Sequence, residues 1–170
     1  MTTAPAPASG PAGARPASAT MTDSAATRAF RERIARVDAQ AEEAAAKRQH
    51  PKGKSTARER IAELLDADSF LEIGRYTGSG AGEGARPSGV VTGFGQIGGR
   101  QVAVYSQDFS VSGGALGAIE GDKIVRLLDD ALRLRIPVIG LIDSGGAKIQ
   151  EGVGALRQYG RIFNRTCAAS

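Results

Sequence analysis

Between Ile136 and Gly152 the sequence reads IPVIGLIDSGGAKIQEG. An apolar run ends at Asp143 and Ser144, two glycines follow, and the segment continues with no histidine, no cysteine and no obvious nucleophile. Main-chain groups alone could serve chemistry at such a turn. Gly145 and Gly146 let the backbone approach a ligand closely and can aim successive N–H groups into one space, where they hold negative charge developing on an oxygen. The same pair also suits a tight turn that needs positive φ and binds nothing. A second pair, Gly113 and Gly114, follows SQDFSVS.

The turn at Gly145 needs a strand to deliver it, and PVIGLID (137–143) reads as a short buried one. Before it, Leu116, Ile119, Ile124, Leu127, Leu128 and Ala131 mark a helical apolar face that runs to about Arg135. Earlier still, VVTGFGQI and QVAVYSQD are strands joined in hairpin fashion through Gly98, Gly99 and Arg100. Strand, helix, strand is a βαβ crossover, and it implies a parallel sheet covered on both faces. The glycine turn then sits at the carboxyl end of a strand, where α/β folds bind ligands. EGVGALRQYGRIFNRTCAAS begins a further helix, with Leu156, Tyr159, Ile162 and Phe163 on its apolar side.

Upstream, residues 1–24 are a low-complexity Ala/Pro/Ser/Gly leader, too poor in apolar groups to offset the entropy of ordering. Residues 25–50 read as an amphipathic helix with Phe30, Ile34 and Val37 on a thin apolar stripe. The GKST that follows is not a phosphate loop, because such a loop needs a preceding strand and a glycine where Arg48 stands. Thr56 and Glu59 instead form a capping box for a helix that buries Ile61, Leu64 and Leu65. Residues 74–89 form a Gly-rich loop of a length that suits disorder or a lid.

Six bases, Lys47, Arg48, Lys52, Lys54, Arg58 and Arg60, cluster around one acid, within a chain of net charge +4. The cluster is either a solvated helix face or a seat for an anion. It contains no aromatic residue, which argues against tracking a nucleic acid. Cys167 is the single cysteine, so no internal disulfide forms and a reducing cytoplasm is the expected compartment. No run approaches the roughly 18 apolar residues of a membrane helix. His50, the single histidine, sits beside Pro51 between two helices and reads as structural.

Three stretches in order, GKSTARERIAELLDADSFLEI, GVVTGFGQIGGRQVAVYSQDFSVSGGALG and GDKIVRLLDDALRLRIPVIGLIDSGGAKIQEGV, resemble the carboxyltransferase (beta) subunit of biotin-dependent acyl-CoA carboxylases. The resemblance covers about Arg48 to Ser170. It implies an α/β, crotonase-like (ClpP/crotonase) superhelix of ββα units, incomplete here, with residues 51–170 as the N-terminal part of a truncated carboxyltransferase domain. The implied reaction passes CO2 from biotin on a separate carrier to the α-carbon of a short-chain acyl-CoA, acetyl- or propionyl-CoA, with the released biotin acting as base. A turn of bare amides suffices there because the cofactor brings the acid and the base. Gly145 and Gly146 are then the catalytic donors, and Gly113, Gly114, Ala147, Lys148, Arg58 and Arg60 the expected contacts to substrate, the two arginines toward the phosphates of coenzyme A.

The implied partners are acyl-CoA, a biotin carboxylase with its biotin carrier, and other copies of the longer chain in a hexamer. ATP is used only at the biotin carboxylase, and no metal is expected. A biotin-dependent acyl-CoA decarboxylase and a truncated binding or assembly module are the alternatives. Against the family pattern, Lys148 stands where arginine is usual, Ser112 where an aromatic is common, and Ala118 and Glu120 where an acid and an aromatic are usual. A lysine keeps the charge and loses the planar fork.

Overall fold

The computed structural model describes residues 24–79 and 86–170. The leader expected over 1–24 therefore lies almost wholly outside the described residues, as does the tip of the Gly-rich loop. The chain divides into two units, Met1–Val37 and Asp38–Ser170. In the first, helix α1 (Ala25–Gln49) begins, and the Arg33 guanidinium lies 6.0 Å from the centre of the Phe30 ring.

In the second unit α1 ends in a 3₁₀ turn, His50–Lys52, whose Pro51 lacks the N–H that a longer helix would need. Helix α2 (Ala57–Leu64) follows, and its start is the expected capping box. Thr56 Oγ1 accepts from the Glu59 N–H at 3.2 Å, and Glu59 Oε2 accepts from the Thr56 N–H at 2.7 Å. The His50 Nε2 atom lies 2.9 Å from the same Glu59 carboxylate, a structural contact at the surface.

Next come β1 (Leu71–Ile73) and two two-residue strands, β2 (Gly78–Ser79) and β3 (Arg86–Pro87), which pair with each other. Part of the loop expected at 74–89 is therefore a small antiparallel ladder. The hairpin is β4 (Val90–Ile97) and β5 (Arg100–Gln107), paired from Val90↔Gln107 to Ile97↔Arg100. Asp66 holds its turn by accepting from the N–H groups of Gly98 and Gly99 at 2.9 and 2.8 Å. Helix α3 (Ala118–Leu134) then crosses to β6 (Val138–Leu141), which runs parallel to β5 with Ala103↔Val138 in register, and α4 (Val153–Ala169) packs on α3. Sheet order is β1-β4-β5-β6.

Apolar side chains fill both faces of the central pair. On one side Ala57, Ile61 and Leu65 meet Val91, Val102 and Val104; on the other Ile124, Val125 and Leu128 meet Val90 and Ile162. The expectation of a sheet covered on both faces holds for β4 and β5 and fails at β6. As the last strand of the described sheet, β6 stays half-buried, and Ile142 just beyond it is 64% exposed.

Candidate active site

The two glycine turns are stitched together at the carboxyl end of β6. Gly145 N–H donates to the Gly113 carbonyl at 2.8 Å, Leu116 N–H to Gly146 O at 2.8 Å, and Lys148 N–H to Leu116 O at 2.9 Å. Leu116 and Ala147 thus form a one-residue parallel bridge beyond the strand ends. Leu116, expected on the helix face, belongs to this bridge, and α3 starts two residues later. Gly114 (φ 63°) is forced to be glycine, because a Cβ there would lie 2.2 Å from the Asp143 carbonyl oxygen.

This stitching decides which amides face outward. The Gly145 N–H, expected as a donor to substrate, is already committed to Gly113, and the Gly146 N–H bonds to Ser144 Oγ at 3.0 Å. The Gly114 N–H bonds to Val111 O at 2.9 Å. In a parallel pair the residue between two ladder bonds turns its own N–H to the opposite edge. Ala147 occupies that position, and among the described residues its N–H and that of Gly113 take no partner.

Side chains brace the turns from two directions. Lys54 Nζ donates to Asp143 Oδ1 at 2.6 Å and lies 4.6 Å from the centre of the Phe109 ring, so the GKST segment serves as a strut to the strand end. On the other side Lys148 Nζ meets Glu120 Oε2 at 2.8 Å, and Glu120, 3% exposed, also accepts from the N–H groups of Gly89 and Gly117. Burial alone would raise the Glu120 carboxyl, but the Lys148 ammonium and the Gly89 N–H hold it below the ordinary carboxylate value. Glu151 Oε2 accepts from the Ala118 N–H at 2.6 Å, at the positive end of α3. The departures at 120 and 148 are therefore two ends of one ion pair, and Lys148, expected on substrate, is spent in it.

The basic cluster is mostly consumed within the chain. Arg58 donates to Glu72 at 2.7 and 3.1 Å and also pairs with Glu42, while Arg60 donates to the Gln107 carbonyl. Arg48 donates to Ser110 O at 2.7 Å, and Lys47 pairs with Glu43. Arg58 and Arg60 thus fasten helix to sheet: two carboxylates distant in sequence pair with Arg58, a main-chain carbonyl accepts from Arg60, and neither side chain has a hydrogen bond to the glycine turns. Sequence reasoning named Lys54 only as part of the basic cluster, Asp143 only as a strand end and Glu120 only as a departure from pattern; the pairs Lys54–Asp143 and Lys148–Glu120 are what it missed.

The site is thus the carboxyl end of a βαβ strand, the place where α/β folds bind ligands. The chain belongs to the carboxyl transferase domain family, whose profile matches residues 48–170. It is 52% identical over 140 residues to the propionyl-CoA carboxylase beta chain of Saccharopolyspora erythraea, covering 79% of this chain and 26% of that one. It is 43% identical over 145 residues to the methylmalonyl-CoA decarboxylase subunit alpha of Veillonella parvula, covering 82% of this chain and 28% of that one. Among solved structures it superposes on transcarboxylase 12S, a hexamer with methylmalonyl-CoA bound, at TM-score 0.73 and 38% identity, over 88% of this chain and 30% of that one. The expected carboxyltransferase fold is therefore present, and the chain spans about a quarter of the length of the curated relatives it matches. Among the described residues no helix is long and apolar enough to cross a membrane.

Proposed function

We propose that the chain supplies one part of a biotin-dependent acyl-CoA carboxyltransferase site acting on a short-chain acyl-CoA. The observation that carries this reading is the pair of N–H groups without a partner among the described residues, Gly113 and Ala147, on turns held in place by the bonds of Gly114, Leu116, Gly145, Gly146 and Lys148. Loss of the α-proton puts negative charge on the thioester oxygen. Donors already fixed by Gly145, Leu116 and Lys148 would receive that charge with little reorganisation. The expected donor role moves from Gly145 to Ala147, with Gly145 holding the turn in place and Gly146 able to add its N–H when the Ser144 hydroxyl rotates away.

Biotin on a separate carrier would supply the carboxyl group, and the ATP-dependent step would belong to a partner biotin carboxylase. The donor set fits such chemistry, since main-chain amides demand only a carbonyl oxygen. Further polypeptide, from the same or another copy in a hexamer, would complete the pocket. A decarboxylase reading is favoured by one observation, the 43% identity to a methylmalonyl-CoA decarboxylase subunit.

The test compares propionyl-CoA with nitroethyl-CoA, whose nitronate mimics the enolate oxygen, by calorimetry in the assembled complex. Binding of the nitronate about a hundredfold tighter or more is expected. Equal affinities would overturn the assignment. Following carboxyl transfer in both directions separates carboxylase from decarboxylase.

A further inference from the structure

A cavity of about 200 Å³ lies between α3, the sheet and the turn after β1, away from the glycine turns. Ile73, Thr77, Thr92, Ile119 and Leu127 line it, and Lys123 reaches it from α3. The Lys123 ε-nitrogen donates to the Val90 carbonyl at 2.6 Å and to Ser88 Oγ at 3.0 Å. Neither partner is a carboxylate. A neutral amine has two N–H bonds, which these two acceptors satisfy, and one lone pair left over. Three of the other four lysines meet a carboxylate, Lys47 with Glu43, Lys54 with Asp143 and Lys148 with Glu120, and Lys52 lies over the Phe109 ring at 5.5 Å.

We propose that Lys123 is an acyl-acceptor site, whose amine takes the acyl group of a short acyl thioester admitted to this cavity. The nitrogen attacks the thioester carbonyl carbon, a C–N amide bond forms, and the C–S bond breaks with its electron pair going to sulfur. The proton that the nitrogen gives up leaves with the thiol. The amide product keeps one N–H, enough for Val90 O, and loses the lysine charge. The choice of reagent class rests on the acyl-CoA reading above, which would keep such thioesters close at hand.

Electrostatics favours the reactive form. Burial lowers the Lys123 pKa from 10.5 to about 8. Glu72 on β1 and Glu120 on α3 oppose that shift, and Arg58 on α2 adds to it. Asp122, Arg126 and Asp130 on α3 line the same cavity. Near pH 8 about half of the amine is then free base. An ordinary exposed lysine is under about one part in a hundred free base there, a gain partly offset by the lower basicity of the nucleophile.

The experiment incubates the folded protein with propionyl-N-acetylcysteamine between pH 6.5 and 9.5 and maps acylated lysines by peptide mass spectrometry. Lys123 is expected to label about tenfold faster than Lys47 and Lys52 at pH 8, with a half-maximal rate near that pH. The preference should vanish in guanidinium, and the fast adduct should be missing in Lys123→Arg. Labelling of Lys123 no faster than the exposed lysines would overturn the proposal. The probe carries no nucleotide, so a failed carboxyl-transfer assay leaves this result standing, and the reverse holds as well.

Discussion

The Lys54 ammonium and the Asp143 carboxylate meet at 2.6 Å across 89 residues of sequence. Their contact ties the segment ahead of α2 to the residue two positions before Gly145. Lys54 is 41% exposed and Asp143 16%, so solvent screens the pair in part. Lys54→Met and Asp143→Asn should each destabilise the fold, and the double variant should cost little more than either. A coupling of about 1 kcal/mol is expected from urea unfolding of the four proteins. Strictly additive effects would show that the pair is incidental.

Glu120 should give the fold an acid limit. Its folded pKa lies below the ordinary value, so its contribution is present above about pH 4.5 and is lost as pH falls through the folded value. Glu120→Gln should flatten the acid side of a stability-versus-pH curve. It should also lower stability by about 3 kcal/mol at neutral pH, because Lys148 loses its buried partner. Chemical denaturation at several pH values measures both.

Gly114 and Gly146 should respond to alanine for different reasons. At Gly114 the new methyl meets the Asp143 carbonyl, so the two turns must separate, and a loss of about 3 kcal/mol or more is expected. At Gly146 (φ 107°) nothing stands within 4 Å, and only the backbone conformation opposes the change, at about 1–2 kcal/mol. Thermal melts of the two variants should therefore differ by several degrees. Equal losses would mean that the close approach to Asp143 is unimportant.

Arg58→Lys should leave the preference for coenzyme A over its 3′-dephospho form unchanged, since the guanidinium is committed to Glu72 and Glu42. Stability should fall, because a point charge cannot reproduce the two bonds to Glu72, whose side chain is 8% exposed. Binding titrations beside thermal melts separate the two effects. A lost preference without a lost melt would restore the phosphate role.

Local chemistry was readable and distant pairing was not. Thr56 and Glu59 are three residues apart and form the capping box as read; the hairpin is announced by two short strand-like runs joined at Gly98 and Gly99, and appears with β5 starting one residue earlier, at Arg100. Strand β1 escaped because three residues with an exposed Leu71 carry no period to detect. The basic cluster looked like an anion seat because charge was summed along the chain, whereas Glu42 and Glu72 reach Arg58 from 16 and 14 residues away. Gly145 and Gly146 were visible as a pair, but which amide faces outward depends on Leu116, 29 positions earlier than Gly145 in the numbering.

The Leu116–Ala147 bridge also works as a clock. Its two ladder bonds and the Gly145 bond close one short stretch between the same two turns, so these three amides should be freed by one opening event and exchange with deuterium at a common rate. The amides of Ala147 and Gly113, with no partner to break, should exchange far sooner. Two-dimensional NMR in heavy water would then show the turn as a slow triplet of signals beside two fast ones, reporting its integrity in any variant before a substrate is added.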